Sequence, residues 1–201
     1  MKNVVEVLIT VKEENEQFLE CIQSLNESKS DIKITISPFD HSGVGNARIN
    51  AFNNSTEEYL CFIDPDDYVI GNPFKKAIIY LNEGYTAYYS NHYNIKNNAI
   101  TSTWFQRLYY DKVFQKEQMH HTVVYKRSVI EKVMPFLRNV NAWDKYLLNL
   151  ESLISGTVKG DNTIHYAWRV DGGGNHLKSP LDNPPEWHQK IKHMTGAIRK
   201  K

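Results

Sequence analysis

The chain has 201 residues, 41 % of them hydrophobic and 23 % charged, with a formal net charge of +1. This composition excludes wholesale disorder and collagen-like or low-complexity architecture, and it supplies no global field for nucleic acid or a membrane surface. One domain of this length buries roughly 70 % of its extended surface and needs no disulfide or structural zinc to fold.

Cys21 and Cys61 are the only cysteines. Each sits in an apolar pattern without a CxxC partner, as core thiols in a reducing compartment do. The N-terminal apolar run is broken by Glu6 and is too short for a signal peptide. No stretch approaches the ~18 apolar residues of a membrane span. The expectation is a cytoplasmic chain with no transmembrane segment.

In chain order, Val4 to Thr10 is rich in β-branched residues and reads as a buried strand. Phe18, Leu19, Ile22 and Leu25 recur at helical spacing up to Asn26. Ile32-Lys33-Ile34-Thr35-Ile36 alternates and stops at Ser37-Pro38, as a second strand does. Gly43-Val44-Gly45-Asn46 reads as a flexible turn, and Ala47 to Asn53 as a helix. Tyr59-Leu60-Cys61-Phe62-Ile63 is continuously apolar, as a central strand covered on both faces is. It runs directly into Asp64-Pro65-Asp66-Asp67. Strand and helix alternate through the first 65 residues. That predicts an α/β layered domain with a mostly parallel central sheet. Ligands of such sheets bind outside the C-terminal strand ends, where the acidic cluster lies.

The second half predicts a helix over 73–81, an aromatic strand over 85–93 and an aromatic-rich stretch over 104–114. A short strand follows at 122–125, then a serine-capped helix over 128–134. Another helix spans 143–154 and a late strand spans 164–170. Gly172-Gly173-Gly174 is a hinge. Pro184-Pro185 opens a basic tail with Lys190, Lys192 and His193, which ends at Arg199-Lys200-Lys201 and is expected to be largely solvated.

On an extended segment, residues i and i+2 face the same way. Asp64 and Asp66 would then present two carboxylates to one point, with Asp67 beside them. Like charges that close need a cation, and hard oxygen ligands suit Mg²⁺ or Mn²⁺. The competing reading is a turn capped by Asp64.

Gly43-Val44-Gly45-Asn46-Ala47-Arg48, a helix, then Glu58-Tyr59-Leu60-Cys61-Phe62-Ile63-Asp64-Pro65-Asp66-Asp67 resembles the family 2 glycosyltransferases of the GT-A, Rossmann-like fold. The resemblance is strongest over residues 43–68. It implies that Asp66 binds the metal on the donor diphosphate and that Asp64 contacts the ribose or the metal. It implies further that Arg48 lies near the nucleotide and that Thr10 meets the base. The chain departs from the family at Ile49 and Ala51, where asparagine and glycine are usual. Only one strand fits between Ser30 and Gly43 where two are usual, so the nucleotide-binding half is shortened. Asp40 is left as the candidate for base recognition.

Downstream, Val123 to Ser128, a helix, Pro135-Phe136 and then Ala142-Trp143-Asp144-Lys145 resemble the family's acceptor half. The resemblance makes Asp144 the general base of an inverting transfer. Its alternative role is to complement the helix dipole. Tyr166 to His176 resembles a segment through which Arg169 and His176 would reach the diphosphate or the metal. His120-His121 would point to opposite strand faces and share no metal. Tyr88, Tyr89, Tyr93, Trp104, Phe105, Tyr109 and Tyr110 are either packing residues or an acceptor platform.

The expected organisation is one domain over 1–176, with a donor half over 1–68 and an acceptor half over 69–176, followed by a basic arm over 177–201. The expected donor is a nucleotide-diphospho-sugar, above all a UDP-sugar, and the expected transfer is hexosyl or pentosyl. The acceptor would be a glycan, a lipid-linked sugar or, in a phage enzyme, a hydroxymethylated DNA base. Nucleotidyl transfer would need a glycine-rich loop after the first strand, where Thr10-Val11-Lys12-Glu13-Glu14 stands instead. A non-catalytic nucleotide-sugar-binding module is the non-enzyme alternative.

Overall fold

The computed structural model describes residues 4–28, 32–39, 42–106, 119, 121–170 and 182–198. The first strand, β1 (Val5–Val11), divides its side chains by the period of two. Val5, Val7 and Ile9 join Phe18, Cys21 and Leu25 of helix α1 (Glu16–Glu27). Leu8 faces the other way, with Ala51 of helix α2 (Val44–Asn53). Covered on both faces, β1 has no room for the polar alternation of an exposed strand.

Strand β2 (Ile32–Pro38) lies parallel to β1 on one side, and β3 (Tyr59–Ile63), wholly buried, lies parallel on the other. Then come β4 (Tyr68–Val69), α3 (Pro73–Asn82), β5 (Ala87–Lys96), β6 (Ala99–Trp104) and β7 (Val123–Lys126). They are followed by α4 (Arg127–Val133), a 3-10 turn (Met134–Phe136), α5 (Asp144–Ser155), β8 (Val158–Arg169) and α6 (Pro185–Ile198). The sheet order is β2-β1-β3-β7-β5-β8-β4, with β6 paired to β5. Among the described residues, β1, β2, β3, β5 and β8 run one way and β4, β6 and β7 the other. The expected mostly parallel α/β sheet is thus present, with antiparallel β7 joining its halves.

Local chemistry sets several boundaries. The Asn15 side chain accepts from Phe18 N at 3.0 Å and Asn72 accepts from Lys75 N at 3.0 Å, which caps α1 and α3. The serine cap expected at 128 is absent. α4 begins at Arg127, whose guanidinium donates to Glu57 O and Ser55 Oγ, both at 2.8 Å. The solvated tail is also corrected within 185–198. Those residues form α6, whose Trp187 and Met194 are buried in the core shared with α5.

A buried carboxylate ties β1 to its neighbours. Glu6 accepts from Thr35 Oγ1 at 2.5 Å, Thr56 N at 2.7 Å, Glu57 N at 2.9 Å and Lys33 Nζ at 3.0 Å. Burial pushes its pKa up, but these bonds overcome that and hold it below the usual value.

Candidate active site

The site lies at the C-terminal ends of β1 and β3. The register sets Ile9 opposite Ile63, so Thr10 and Asp64 leave adjacent strands side by side. Thr10 is half-buried and pairs with Ser37 of β2. The acidic segment is a turn, with Asp67 N donating to Asp64 O at 3.2 Å. The extended geometry expected for residues 64 and 66 therefore does not hold. The carboxylates of Asp64 and Asp67 and a ring nitrogen of His121 lie within 4.8 Å of one another.

Asp64 is the hub. Its Oδ1 accepts from Arg48 Nη2 at 3.0 Å and its Oδ2 from Lys145 Nζ at 2.9 Å, and His121 Nδ1 lies 3.9 Å from Oδ2. Burial pushes its pKa up, but the charges of Lys145, Arg48 and His121 hold it well below the usual carboxylate range. Asp67 is fully engaged: Tyr166 Oη donates to it at 2.8 Å and Arg169 N at 2.7 Å. Burial and the charges of Asp64 and Asp66 push its pKa up. The Asp66 carboxylate takes a hydrogen bond from its own backbone N–H. Burial, with Asp64 nearby, pushes its pKa up as well.

Arg48 is 4 % exposed and binds Asp144 through Nε as well as Asp64, with its guanidinium 4.9 Å from the Phe62 ring centroid. Burial opposes its charge, and Asp144 and Asp64 more than restore it. The glycines before it are what allow this approach. Gly45 N donates to Val140 O at 2.9 Å, and a Cβ on Gly45 would stand 1.9 Å from Leu137 O. The sequence reading of a flexible turn is corrected here: residues 44–46 are the docked first turn of α2. Asn46 and Asn139 exchange hydrogen bonds at 3.1 and 3.2 Å across the same contact.

Asp144 and Lys145 open α5 immediately after Trp143, which is left-handed at φ 62°. Asp144 thus lies in the first turn, as expected, and Lys145 beside it reaches Asp64. A chain of charge results, Asp144–Arg48–Asp64–Lys145, drawn from α5, α2 and the end of β3. Arg169 ends β8. Its guanidinium donates to Asp66 O and to the Glu20 carboxylate, and lies 5.2 Å from the Tyr68 ring centroid. It braces the acidic turn. Asp40, His120, Asp171, residues 172–175 and His176 lie outside the described residues.

Lys145 and His121 were not singled out from sequence as partners of Asp64. A signal for Lys145 existed: a cation in a first helical turn opposes the dipole and needs another reason to be there. His121 gave none, because its neighbourhood is made by β8.

The charge balance suits a divalent cation. Asp64, Asp66, Asp67 and Asp144 face Arg48, Lys145 and Arg169, and Arg169 is shared with Glu20. Burial first, and neighbouring aspartates second, raise the pKa values of Asp66 and Asp67, and hard oxygen donors match Mg²⁺ or Mn²⁺.

The model of glycosyl transferase family 2 matches residues 2–141, ending just short of Asp144. No curated protein matches the chain. Among solved structures, S. aureus TarS is similar at a TM-score of 0.67 and 11 % identity, over 96 % of this chain and 39 % of that one. TarS 1–349 in complex with UDP-GlcNAc is similar at 0.66 and 10 % identity, over 98 % and 66 % of the two chains. The UDP complex gives 0.64 and 12 %, over 96 % and 64 %. The chain thus spans about two fifths of the first TarS chain. Among the described residues, no helix is long and apolar enough to cross a membrane.

Proposed function

The chain belongs to glycosyl transferase family 2, and from that premise we propose that it transfers a glycosyl group from a UDP-sugar to an acceptor hydroxyl with inversion. The observation that carries this reading is the chain of ion pairs joining Asp64 to Asp144 through Arg48. It couples a carboxylate at the donor end of the sheet to one at the start of α5. Thr10 and Asp64 flank the nucleoside, and Arg48 and Lys145 offer positive charge beside the diphosphate. Asp66, with Asp64, holds Mn²⁺ or Mg²⁺, and the cation when bound neutralises charge on the leaving diphosphate. Asp144, held by Arg48 at the start of α5, is the carboxylate that takes the acceptor proton as the new glycosidic bond forms. UDP-GlcNAc is the first donor to test, because a similar structure binds it.

The test is thermal denaturation with UDP-GlcNAc and other UDP-sugars, with and without Mn²⁺. A donor at a hundredfold excess over its Kd adds about 2.7 kcal/mol of stability. Asp66→Ala should keep the fold and abolish the Mn²⁺-dependent part of that gain. A full metal-dependent gain in Asp66→Ala would overturn the metal assignment, and no gain with any nucleotide-sugar would overturn the donor.

A further inference from the structure

The aromatic residues of the second half are not all core. Tyr88, Tyr89 and Tyr166 are buried, but Trp104 and Phe105, consecutive at the end of β6, are 42 % and 59 % exposed. Side chains two apart on a strand share a face. The register sets His92 between Trp104 on β6 and Tyr166 on β8, and Asn94 between Ser102 and Trp168. These six side chains form two rows on one sheet face. Ring geometry follows the register: His92 stacks on Trp104 at 6.1 Å and 13°, and meets Trp168 edge-on at 5.9 Å. His121 covers the inner end of the rows. It stacks on Tyr166 at 4.9 Å, meets His92 edge-on at 5.1 Å and lies against Trp168 at 5.0 Å. His121 Nδ1 is in turn 3.9 Å from Asp64 Oδ2. A continuous run of packed rings, buried at His121, Tyr166 and His92, therefore leads from the hub of the candidate active site to an exposed indole.

We propose that the exposed end of this run is the subsite for a saccharide acceptor, with the C–H face of one sugar ring stacked on Trp104. The proposal rests on the transferase reading for the direction in which the acceptor points, toward Asp64. The choice of a saccharide rests on the chemistry of the face. β6 reads Ala-Ile-Thr-Ser-Thr-Trp, with no charged side chain. A nucleic-acid acceptor needs cations against its phosphates, and β6 supplies none. It supplies hydroxyls instead: Ser102 Oγ accepts from Asn94 Nδ2 at 2.9 Å, and Thr101 Oγ1 donates to Asn94 O at 3.1 Å. An indole bordered by hydroxyl and amide groups matches a ring with apolar faces and a polar rim.

The experiment is binding of the full chain to an array of bacterial cell-surface and N-acetylhexosamine-containing oligosaccharides, with a hydroxymethylcytosine-containing duplex alongside. Wild type should capture at least one glycan class, and Trp104→Ala should weaken that capture about tenfold, the scale of one aromatic contact. Stabilisation by UDP-GlcNAc with Mn²⁺ should be equal in both proteins. If no nucleotide-sugar stabilises wild type while glycan capture still depends on Trp104, the transferase reading fails and the saccharide site stands. The proposal is overturned if wild type captures no glycan, if Trp104→Ala captures it equally, or if the duplex binds in a Trp104-dependent way. Should Trp104→Ala not fold, Trp104→Phe carries the test: a several-fold loss supports the subsite and unchanged capture overturns it.

Discussion

Replacing Arg48 by methionine removes the guanidinium and keeps most of the aliphatic stem over Phe62. In the wild type that group lies between Asp64, at 3.0 Å, and Asp144, and it is almost wholly buried. Asp64 would keep Lys145 at 2.9 Å, whereas Asp144 has no second ion pair among the described residues. The variant thus leaves a buried carboxylate at the start of α5 without its counter-ion. Removing one partner of a buried pair costs about 3–5 kcal/mol, since the remaining charge stays desolvated. At about 2–4 °C per kcal/mol for a domain of this size, Tm should fall by about 6–20 °C. The assay is thermal denaturation at neutral pH of wild type, Arg48→Met, Asp144→Asn and the double variant. Asp144→Asn alone also destabilises, because Arg48 loses one of its two anions. The double variant should nevertheless be more stable than the sum of the single losses implies, by about 0.5–3 kcal/mol. Additive losses would refute the idea that Arg48 joins the two carboxylates energetically.

Three further outcomes follow from the same structure. Glu6→Gln should cost about 2 kcal/mol at neutral pH, because a charge-assisted acceptor becomes a neutral one. The folded pKa of Glu6 lies below its unfolded value of about 4.3, so its contribution is complete above that value and lost as pH falls through the folded pKa; melting curves of the two proteins should converge in acid. Cys21 and Cys61 are both free and buried, and burial pushes each thiol up to about 12. A thiol-disulfide reagent should therefore leave both untouched in the native protein at neutral pH and label both in denaturant. Gly45→Ala should lower stability by about 1–3 kcal/mol or more, read as a fall in Tm, because its Cβ meets Leu137 O at 1.9 Å.

The parts of this molecule legible in the sequence are those fixed by neighbours in the chain. β1, β3, α1 and α3 declare themselves through apolar periodicity and their caps. Asp64 is visible because it follows a strand with no polar residue. α6 carried a legible signal as well: Trp187, Ile191 and Met194 fall on one helical face, although the basic residues between them suggested a solvated arm. What the sequence conceals is set by distant contacts. Arg48 meets Asp144 only because residues 44–46 dock on residues 137–140. Asp67 turns inward because β8 supplies Tyr166 and Arg169 N, and α4 starts at Arg127 because that side chain is held by residues 55 and 57. No local pattern encodes any of these.

Backbone strain is distributed in a way that bears on the site. Five non-glycine residues among those described have positive φ: Asn97, Asn98, Thr122, Asn139 and Trp143. Asparagine visits that region at little cost, so three of the five need no special account. Thr122, at φ 51°, and Trp143, at φ 62°, are β-branched and bulky, and such residues cost of order 1–3 kcal/mol each when held in a sparse region. Thr122 directly follows His121 and Trp143 directly precedes Asp144. The two expensive conformations thus adjoin two of the three residues, His121 and Asp144 beside Lys145, that approach Asp64 and Arg48 from outside the first 70 residues. Surrounding contacts hold them nonetheless: Thr122 is fully buried, and Trp143 O accepts from Tyr146 N at 3.0 Å at the start of α5. The strain therefore falls where the second half of the chain delivers an imidazole to the acidic turn and a carboxylate to Arg48.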